Sequence, residues 1–205
     1  MNSAKLLDQI SLSHGQAMWV IEAMQIAAWL DAAGLNATLK KFRRHFVPFG
    51  AEELQKPKWE AVRYRFEHLI EVVVALKMSG DGIAFRHVVS LLTRDREKLR
   101  KIYRRAFLEA DSGLGASYEI PAPEGRVHES IRISGLYLDF SAMARVNGML
   151  ASMSPRALDP WEALQRYMGL YVGLHMFPLI RISQLATEAV RLAEAAPEVK
   201  RGRKG

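Results

Sequence analysis

The sequence of 205 residues contains no cysteine. Disulfides, thiolate metal sites, iron–sulfur clusters and cysteine nucleophiles are therefore excluded, and an intracellular, reducing compartment fits this composition. The sequence also lacks any stretch near the roughly 18 apolar residues that a membrane-spanning helix needs. A basic segment followed by an apolar run, which would indicate a signal peptide, is missing from the N-terminus. We expect a cytoplasmic protein that does not act at a membrane.

Residue patterns that carry catalysis or cofactor binding are also missing. The six histidines are scattered, and no two of them have the spacing of a helical or zinc-finger ligand pair. The carboxylates Asp139, Asp159 and Glu162 form no catalytic constellation, and the glycines at 113 and 115 make no phosphate-binding or dinucleotide-binding loop. The sequence therefore predicts neither an enzyme nor a cofactor or metal site.

Basic residues are abundant and unevenly distributed. Lysine and arginine number 29 against 22 acidic residues, which gives a formal net charge of +7. Residues 36–65 hold eight basic and three acidic residues, residues 93–105 hold seven and two, and residues 200–204 add four basic residues. Charge that is concentrated in this way predicts an anionic partner, for which nucleic acid or a membrane surface is the usual choice.

Apolar periodicity and helix breakers predict a mainly α-helical N-terminal half. A helix is expected from Gly15 to Ala33, where Gly34 would end it. Asn36 would be the N-cap of a short basic helix over 37–45, which the following Val47-Pro48-Phe49-Gly50 would break. Further helices are predicted at about 66–78, from 85 onward, and at 94–110.

The C-terminal half is predicted to be a second, smaller domain. Residues 111–125 contain three glycines and two prolines and are typical of a linker. Beyond them we expect one or two short strands near 131–140, broken at Ser134-Gly135. The remaining predicted segments are a helix at 142–150 capped by Asp139 or Ser141, helices at 161–175 and 179–196, and a disordered basic tail at 197–205.

The segment Leu35–Phe46 has the character of a recognition helix. Leu39 and Phe42 give it an inward side, and basic residues surround the rest. Such a helix fits the DNA major groove, which is about 12 Å wide. We expect base-edge contacts from Asn36, Thr38, Lys40 and Lys41, and phosphate contacts from Arg43, Arg44 and His45. The simpler interpretation is a charged helix face that only contacts water.

Three further motifs stand in a fixed order around this helix. Gly34 precedes Thr38-Leu39-Lys40, and Arg63-Tyr64-Arg65-Phe66 follows. Gly82-Ile83-Ala84-Phe85 then leads to Val88 and the pair Leu91-Leu92. In order and spacing, these motifs over about residues 22–92 resemble the winged helix-turn-helix domain of the MerR family of bacterial transcription regulators. The resemblance implies a recognition helix at 37–45 and a basic wing at 55–65.

In the resembling family, a helix after the winged domain pairs with its twofold mate. The helix at 94–110 stands in that place, so the resemblance implies a homodimer whose seam contains Leu99, Ile102 and Ala106. The wing would bind phosphates through Lys56, Lys58, Arg63 and Arg65, although an ordinary polar loop is the alternative for these residues.

A stripe of apolar and aromatic residues lies along the predicted helix at 161–175 of the last domain. Its members, at helical spacing, are Trp161, Leu164, Met168, Tyr171, Val172 and His175. The stripe indicates core or dimer packing, with an effector pocket or partner groove as the alternative.

The sequence thus predicts a mainly α protein with a MerR-like module at 15–110 and a dimerisation or effector domain at 126–196. Its expected partner is double-stranded DNA, and its expected role is transcription regulation. The alternatives are a protein-interaction adaptor on a helix-turn-helix scaffold and a nucleoid or partition factor. Lys41-Phe42-Arg43 departs from the family pattern and motivates the adaptor alternative.

Overall fold

The computed structural model describes residues 3–55, 62–110, 115–120, 129–140, 143–146, 149–152, 155–170 and 179–198. The chain forms two compact units. Unit 1 contains residues 1–100 together with residues from 185 onward, and unit 2 contains residues 101–184. The division falls near residues 100 and 185, not at the linker predicted for residues 111–125.

Unit 1 is built from helices. Six of them lie wholly within it: α1 (Ser3–Gln9), α2 (His14–Ala23), α3 (Ala32–Arg44), α4 (Ala51–Leu54), α5 (Phe66–Gly80) and α6 (Phe85–Arg94). Two more, α7 (Arg96–Leu108) and α9 (Ile182–Ala195), are shared between the units.

Helix α5 is the core of unit 1. Of its 15 residues, 11 are buried, which is the pattern of a helix covered on all sides. The helix predicted at 66–78 is therefore confirmed and extends to Gly80. Helix α6 follows after the predicted turn, in which Gly82 has a φ of +85°, and it buries Val88, Leu91 and Leu92.

The prediction for the start of the basic helix was wrong. Helix α2 ends at Ala23, and α3 begins at Ala32 with Asp31 as its N-cap. The backbone N–H of Gly34 donates to Asp31 Oδ1 at 2.7 Å, and a Cβ at Gly34 would lie only 2.9 Å from that oxygen. Gly34 thus lies in the first turn of α3 instead of ending the preceding helix, and Asn36 lies inside α3 and does not cap it.

The region between α3 and α5 differs from the predicted wing where the structure describes it. Helix α4 reaches Leu54, and Gln55 is its C-cap. Lys56 and Lys58 lie outside the described residues. Tyr64 forms an antiparallel bridge with Leu12, with N···O distances of 2.8 and 2.9 Å. The described end of the predicted wing therefore pairs with the N-terminal segment of the chain.

Unit 2 combines short antiparallel strands with helices. The strands are β1 (Gly115–Ile120), β2 (Glu129–Ser134), β3 (Tyr137–Asp139), β4 (Met143–Val146), β5 (Met149–Ser152), β6 (Arg156–Leu158) and β7 (Leu179–Ile180). They form a β1–β2 pair, a β4–β5 pair and a three-stranded sheet in the order β6–β3–β7. Helix α8 (Pro160–Leu170) follows β6.

Two sequence predictions for unit 2 need correction. The helix expected at 142–150, with Asp139 or Ser141 as its cap, is replaced by β4 and β5, which pair from Met143↔Ser152 to Val146↔Met149. Residues 115–120 of the predicted linker form strand β1, which pairs with β2 from Gly115↔Ser134 to Ile120↔Glu129. The break between β2 and β3 is confirmed, because Gly135 has a φ of +74°.

The core of unit 2 contains Tyr137, Leu158 and Ala163, with Ile133 and Leu179 packed against them. The predicted mainly α fold with short strands is confirmed, although seven strands are present among the described residues instead of one or two. Of the helices in the described ranges, none has the length and apolar content that crossing a membrane requires.

Candidate nucleic-acid interface

Helix α3 separates its apolar and basic residues sharply. Leu35, Leu39 and Phe42 are buried, and their spacing places them on one side of the helix. The basic residues Lys40, Lys41, Arg43 and Arg44 are all exposed, and α3 contains no acidic residue. These four residues form what we call the cationic face. Three of them also lie in the last turn, where positive charge stabilises the helix C-terminus.

The cationic face has no acidic partners in the part of the chain that the structure describes. None of its four members forms an ion pair there. The basic cluster at 93–105 is different, since its arginines pair with nearby carboxylates. Four such pairs are Arg94–Asp95, Arg96–Glu71, Arg100–Glu97 and Arg105–Glu109. Arginines of the second cluster are thus paired with carboxylates, whereas its exposed Lys98 and Lys101 share with the four cations of α3 the absence of an ion pair among the described residues.

Phe85, the first residue of α6, contacts three residues of the C-terminal part of α3 and its cap. The Nζ atom of Lys41 lies 4.1 Å from the centroid of the Phe85 ring, a cation–π contact. The rings of Phe42 and His45 are each 5.2 Å from the same ring, centroid to centroid. The next two residues of α6, Arg86 and His87, are exposed, so the first turn of α6 adds to the basic surface.

Two of the other predicted DNA-contacting residues are placed less favourably. Asn36 and Thr38 are only partly exposed, and Asn36 Oδ1 lies 3.3 Å from His14 Nε2. Arg63 and Arg65 are exposed, on either side of the buried Tyr64. Burial raises the pKa of Tyr64 to about 12 although the charge of Arg43 lowers it. The ring of Tyr64 lies 4.8 Å from that of Phe49, centroid to centroid, so the segment 63–65 packs against the loop that follows α3.

Helix α3 ends in a Schellman motif. The backbone N–H of Val47 donates to Phe42 O and that of Phe46 to Arg43 O, both at 3.1 Å. Phe46 has a φ of +61°, in the left-handed region that this position requires and that glycine usually supplies. A residue with a Cβ is less stable there than glycine by about 1–2 kcal/mol. Val47 is buried, whereas the Phe46 side chain is 47% exposed.

A group of charges buried in unit 1 supports the end of α3. Arg96 Nε lies 3.1 and 3.2 Å from the two carboxylate oxygens of Glu71, and Arg96 Nη2 lies 2.8 Å from Oε1. The same Nη2 donates to the carbonyl oxygen of Phe46. His68 Nε2 lies 3.0 Å from Glu53 Oε1, and Gly50 N donates to Glu53 Oε2 at 2.9 Å. These contacts connect α5, α7, α4 and the loop that follows α3.

Burial changes the pKa values in this group. It raises the pKa of Glu71 to about 7, against the opposing effect of Arg96. It lowers the pKa of His68, although Glu53 opposes the change. Burial alone would raise the pKa of Glu53, but the Gly50 hydrogen bond and the charges of His68 and Arg100 hold it below its usual value. No set of three or more histidine or carboxylate side chains in the described part of the chain could hold a metal ion.

The predicted dimer seam is not presented on the surface. Leu99, Ile102 and Ala106 are all buried within the single chain, so these three side chains cannot pack against a second chain without rearrangement. The reason is that other residues of the same chain cover the apolar side of α7. In α8, Leu164 is buried, but Trp161 is 55% exposed. Tyr171, Val172 and His175 of the predicted stripe lie outside the described residues.

Sequence reasoning missed Phe46, Arg96 and Glu71 as parts of this region. A glycine at position 46 would have indicated the Schellman motif, but phenylalanine gives no such signal. Glu71 is an acidic residue within the apolar middle of α5, between Ile70 and Val72, which does indicate a buried ion pair. Its partner lies 25 residues away and has no sequence signal of its own.

Comparison of the chain with protein-family models, with curated proteins and with solved structures finds no match. The resemblance to the MerR family stays a prediction that depends on the sequence motifs quoted above.

Proposed function

We propose that the protein binds double-stranded DNA through the cationic face of α3 and acts as a transcription regulator of the MerR-like type. DNA binding is supported by one observation, which is that the cations of α3 and the arginines of the cluster at 93–105 differ in whether they form ion pairs. The four cations of α3 are exposed and have no acidic partner among the described residues, whereas arginines near and within α7 are neutralised by carboxylates. Unpaired, clustered cations on a rigid helix favour binding to phosphates.

The placement of the charges favours contacts to the DNA backbone over base readout. The cations lie in the C-terminal half of α3, and the N-terminal half presents the small exposed residues Ala33 and Ala37. A 13-residue helix is about 20 Å long and fits the major groove. Asn36 is already engaged by His14. We therefore expect affinity to come mainly from phosphate contacts and sequence discrimination to be modest.

Salt dependence tests this proposal. We expect the full chain to bind a fluorescent duplex of about two helical turns, measured by anisotropy between about 50 and 200 mM salt. Four phosphate contacts predict a slope of log Kobs against log salt of about −3.6, since each contributes about 0.9. Lys40→Ala and Arg44→Ala should each weaken binding and make the slope shallower by about 0.9.

Lys77→Ala is the matched control, because Lys77 pairs with Asp81 at 2.7 Å and its loss lowers the net charge by the same amount. It should leave affinity and slope close to those of the wild type. Equal effects of Lys40→Ala and Lys77→Ala would show that only overall charge matters and would contradict the assignment to α3. If the wild-type chain shows no retention of duplex DNA at low salt, the protein-interaction adaptor becomes the better hypothesis. Binding without any sequence preference would favour the nucleoid role over transcription regulation.

A further inference from the structure

Phe46 is an exposed aromatic residue at a backbone position that favours glycine, and the fold does not require an aromatic side chain there. It occupies the left-handed position of the Schellman motif, where glycine is the more stable residue. Its side chain is 47% exposed, so it contributes little to the core, while the neighbouring Val47 is buried and closes the helix end. An aromatic residue at this point therefore adds strain to the fold and exposes apolar surface.

The backbone that carries Phe46 is held firmly. Its carbonyl oxygen accepts a hydrogen bond from Arg96, and Arg96 is fixed by its bidentate ion pair with the fully buried Glu71. The Phe46 N–H is bonded to Arg43 O. An exposed ring on so constrained a backbone is preorganised for contact with a partner.

The surroundings of Phe46 indicate the chemistry of that partner. The three residues before it, Arg43, Arg44 and His45, are all exposed. Cations next to an exposed aromatic ring are the combination with which proteins hold the phosphates of a nucleic acid while a ring stacks on its base. Apolar side chains can also enter a duplex at a base step and partly unstack it.

We propose that Phe46 stacks on a base at a partly unstacked step of the nucleic acid that α3 binds. This inference depends on the proposed function, because the cationic face must first bring the duplex to the end of α3. Phe46 then contributes contact energy that does not come from charge, and it distorts the duplex where it enters.

Phe46→Gly is the decisive variant because glycine suits the left-handed backbone. The variant should melt at or above the temperature of the wild type, and Phe46→Asn, which also tolerates this conformation, provides a second folded variant. We expect Phe46→Gly to weaken duplex binding roughly tenfold with an unchanged salt slope, because no phosphate contact is removed. Phe46→Tyr should retain wild-type affinity.

A second readout reports the stacking itself. Duplexes that carry 2-aminopurine at each position in turn should brighten at one or more positions with the wild type and with Phe46→Tyr, but not with Phe46→Gly. Trp29→Ala is the matched control, since Trp29 is an exposed aromatic residue near the opposite end of α3, and it should bind and unstack as the wild type does.

The outcomes separate the two proposals. Wild-type affinity and unchanged 2-aminopurine signals for Phe46→Gly would overturn the stacking inference and leave DNA binding by α3 intact. A tenfold loss with a shallower salt slope would also overturn it, because the variant would then have disturbed the phosphate contacts. Absence of binding by the wild type would overturn both.

Discussion

Arg96 and Glu71 lie 25 residues apart and form a bidentate ion pair in which the Glu71 side chain is fully buried. The pair connects α7 to the central helix α5, and Arg96 Nη2 also donates to the carbonyl oxygen of Phe46. Removing one member of a buried ion pair leaves the other charge without compensation, which destabilises a protein by about 3–5 kcal/mol. The end of the cationic face is thus attached to the most buried helix of unit 1.

The pKa of Glu71 predicts a pH dependence of stability. Burial raises that pKa from 4.5 to about 7 in the folded chain, so the folded state binds a proton more tightly than the unfolded state. Glu71 therefore contributes stability that is fully present below pH 4.5 and is lost as the pH rises toward about 7. The loss should be no more than about 3 kcal/mol.

Denaturant unfolding of the wild type and Glu71→Gln between about pH 4 and 8 measures this effect. As the pH rises to about 7, the free energy of unfolding of the wild type should fall relative to that of Glu71→Gln. Above that pH, the difference between the two should stay constant. Glu52→Gln, which changes an exposed carboxylate of α4, should run parallel to the wild type. If the wild type instead became more stable relative to Glu71→Gln as the pH rises, the raised pKa of Glu71 would be contradicted.

The observed start of α3 predicts unequal effects of two substitutions. Asp31→Ala removes the side chain that caps the helix through Gly34 N and should lower the free energy of unfolding by about 1 kcal/mol. Asn36→Ala removes only an exposed hydrogen bond to His14 and should change it by less than about 0.5 kcal/mol. Urea denaturation distinguishes the two. A larger effect at Asn36 would mean that the helix starts at residue 37.

Two glycines with positive φ predict a graded pair of effects. A Cβ at Gly82 would have no atom within 4 Å, whereas a Cβ at Gly135 would lie 2.7 Å from the Cβ of Ser183. Gly82→Ala should therefore destabilise the protein only through its backbone, by about 1–2 kcal/mol. Gly135→Ala should destabilise it more, because it also displaces the Ser183 hydroxyl, which bonds Leu136 N and Ala106 O at 2.8 Å. Equal losses in thermal unfolding would argue against the close approach.

The sequence predicts elements well where one strong periodic signal is present. Helix α5 has apolar residues throughout, and α6 shows the helical spacing of Val88 and Leu92, so both are located correctly. The prediction for the start of α3 fails because a glycine such as Gly34 usually marks the end of a helix. In the structure, the Gly34 N–H instead donates to Asp31, which caps α3 three residues earlier. The burial of Leu35 also favours a helix that already includes this residue.

Less of the candidate site could be predicted from the sequence. The cationic residues of α3 are recognisable in the sequence, but their availability depends on which acids lie nearby in the folded chain. Glu71 and Arg96 pair across 25 residues, and no periodicity encodes that choice. The β4–β5 pair is missed for a different reason, because the mostly apolar segment 142–150 suits helix or strand, and only the dipeptide Asn147-Gly148, a sequence typical of hairpins, favours paired strands.

The division of the chain also has a consequence for its synthesis. Unit 1 contains residues 1–100 and residues from 185 onward, with all of unit 2 between them in sequence. As the chain leaves the ribosome, the helix with the cationic face emerges before unit 2, but the later segment of its own unit emerges only after residue 184. We therefore expect unit 2 to be fully translated before unit 1 can finish folding, which reverses the N-terminal-first order common in multidomain proteins.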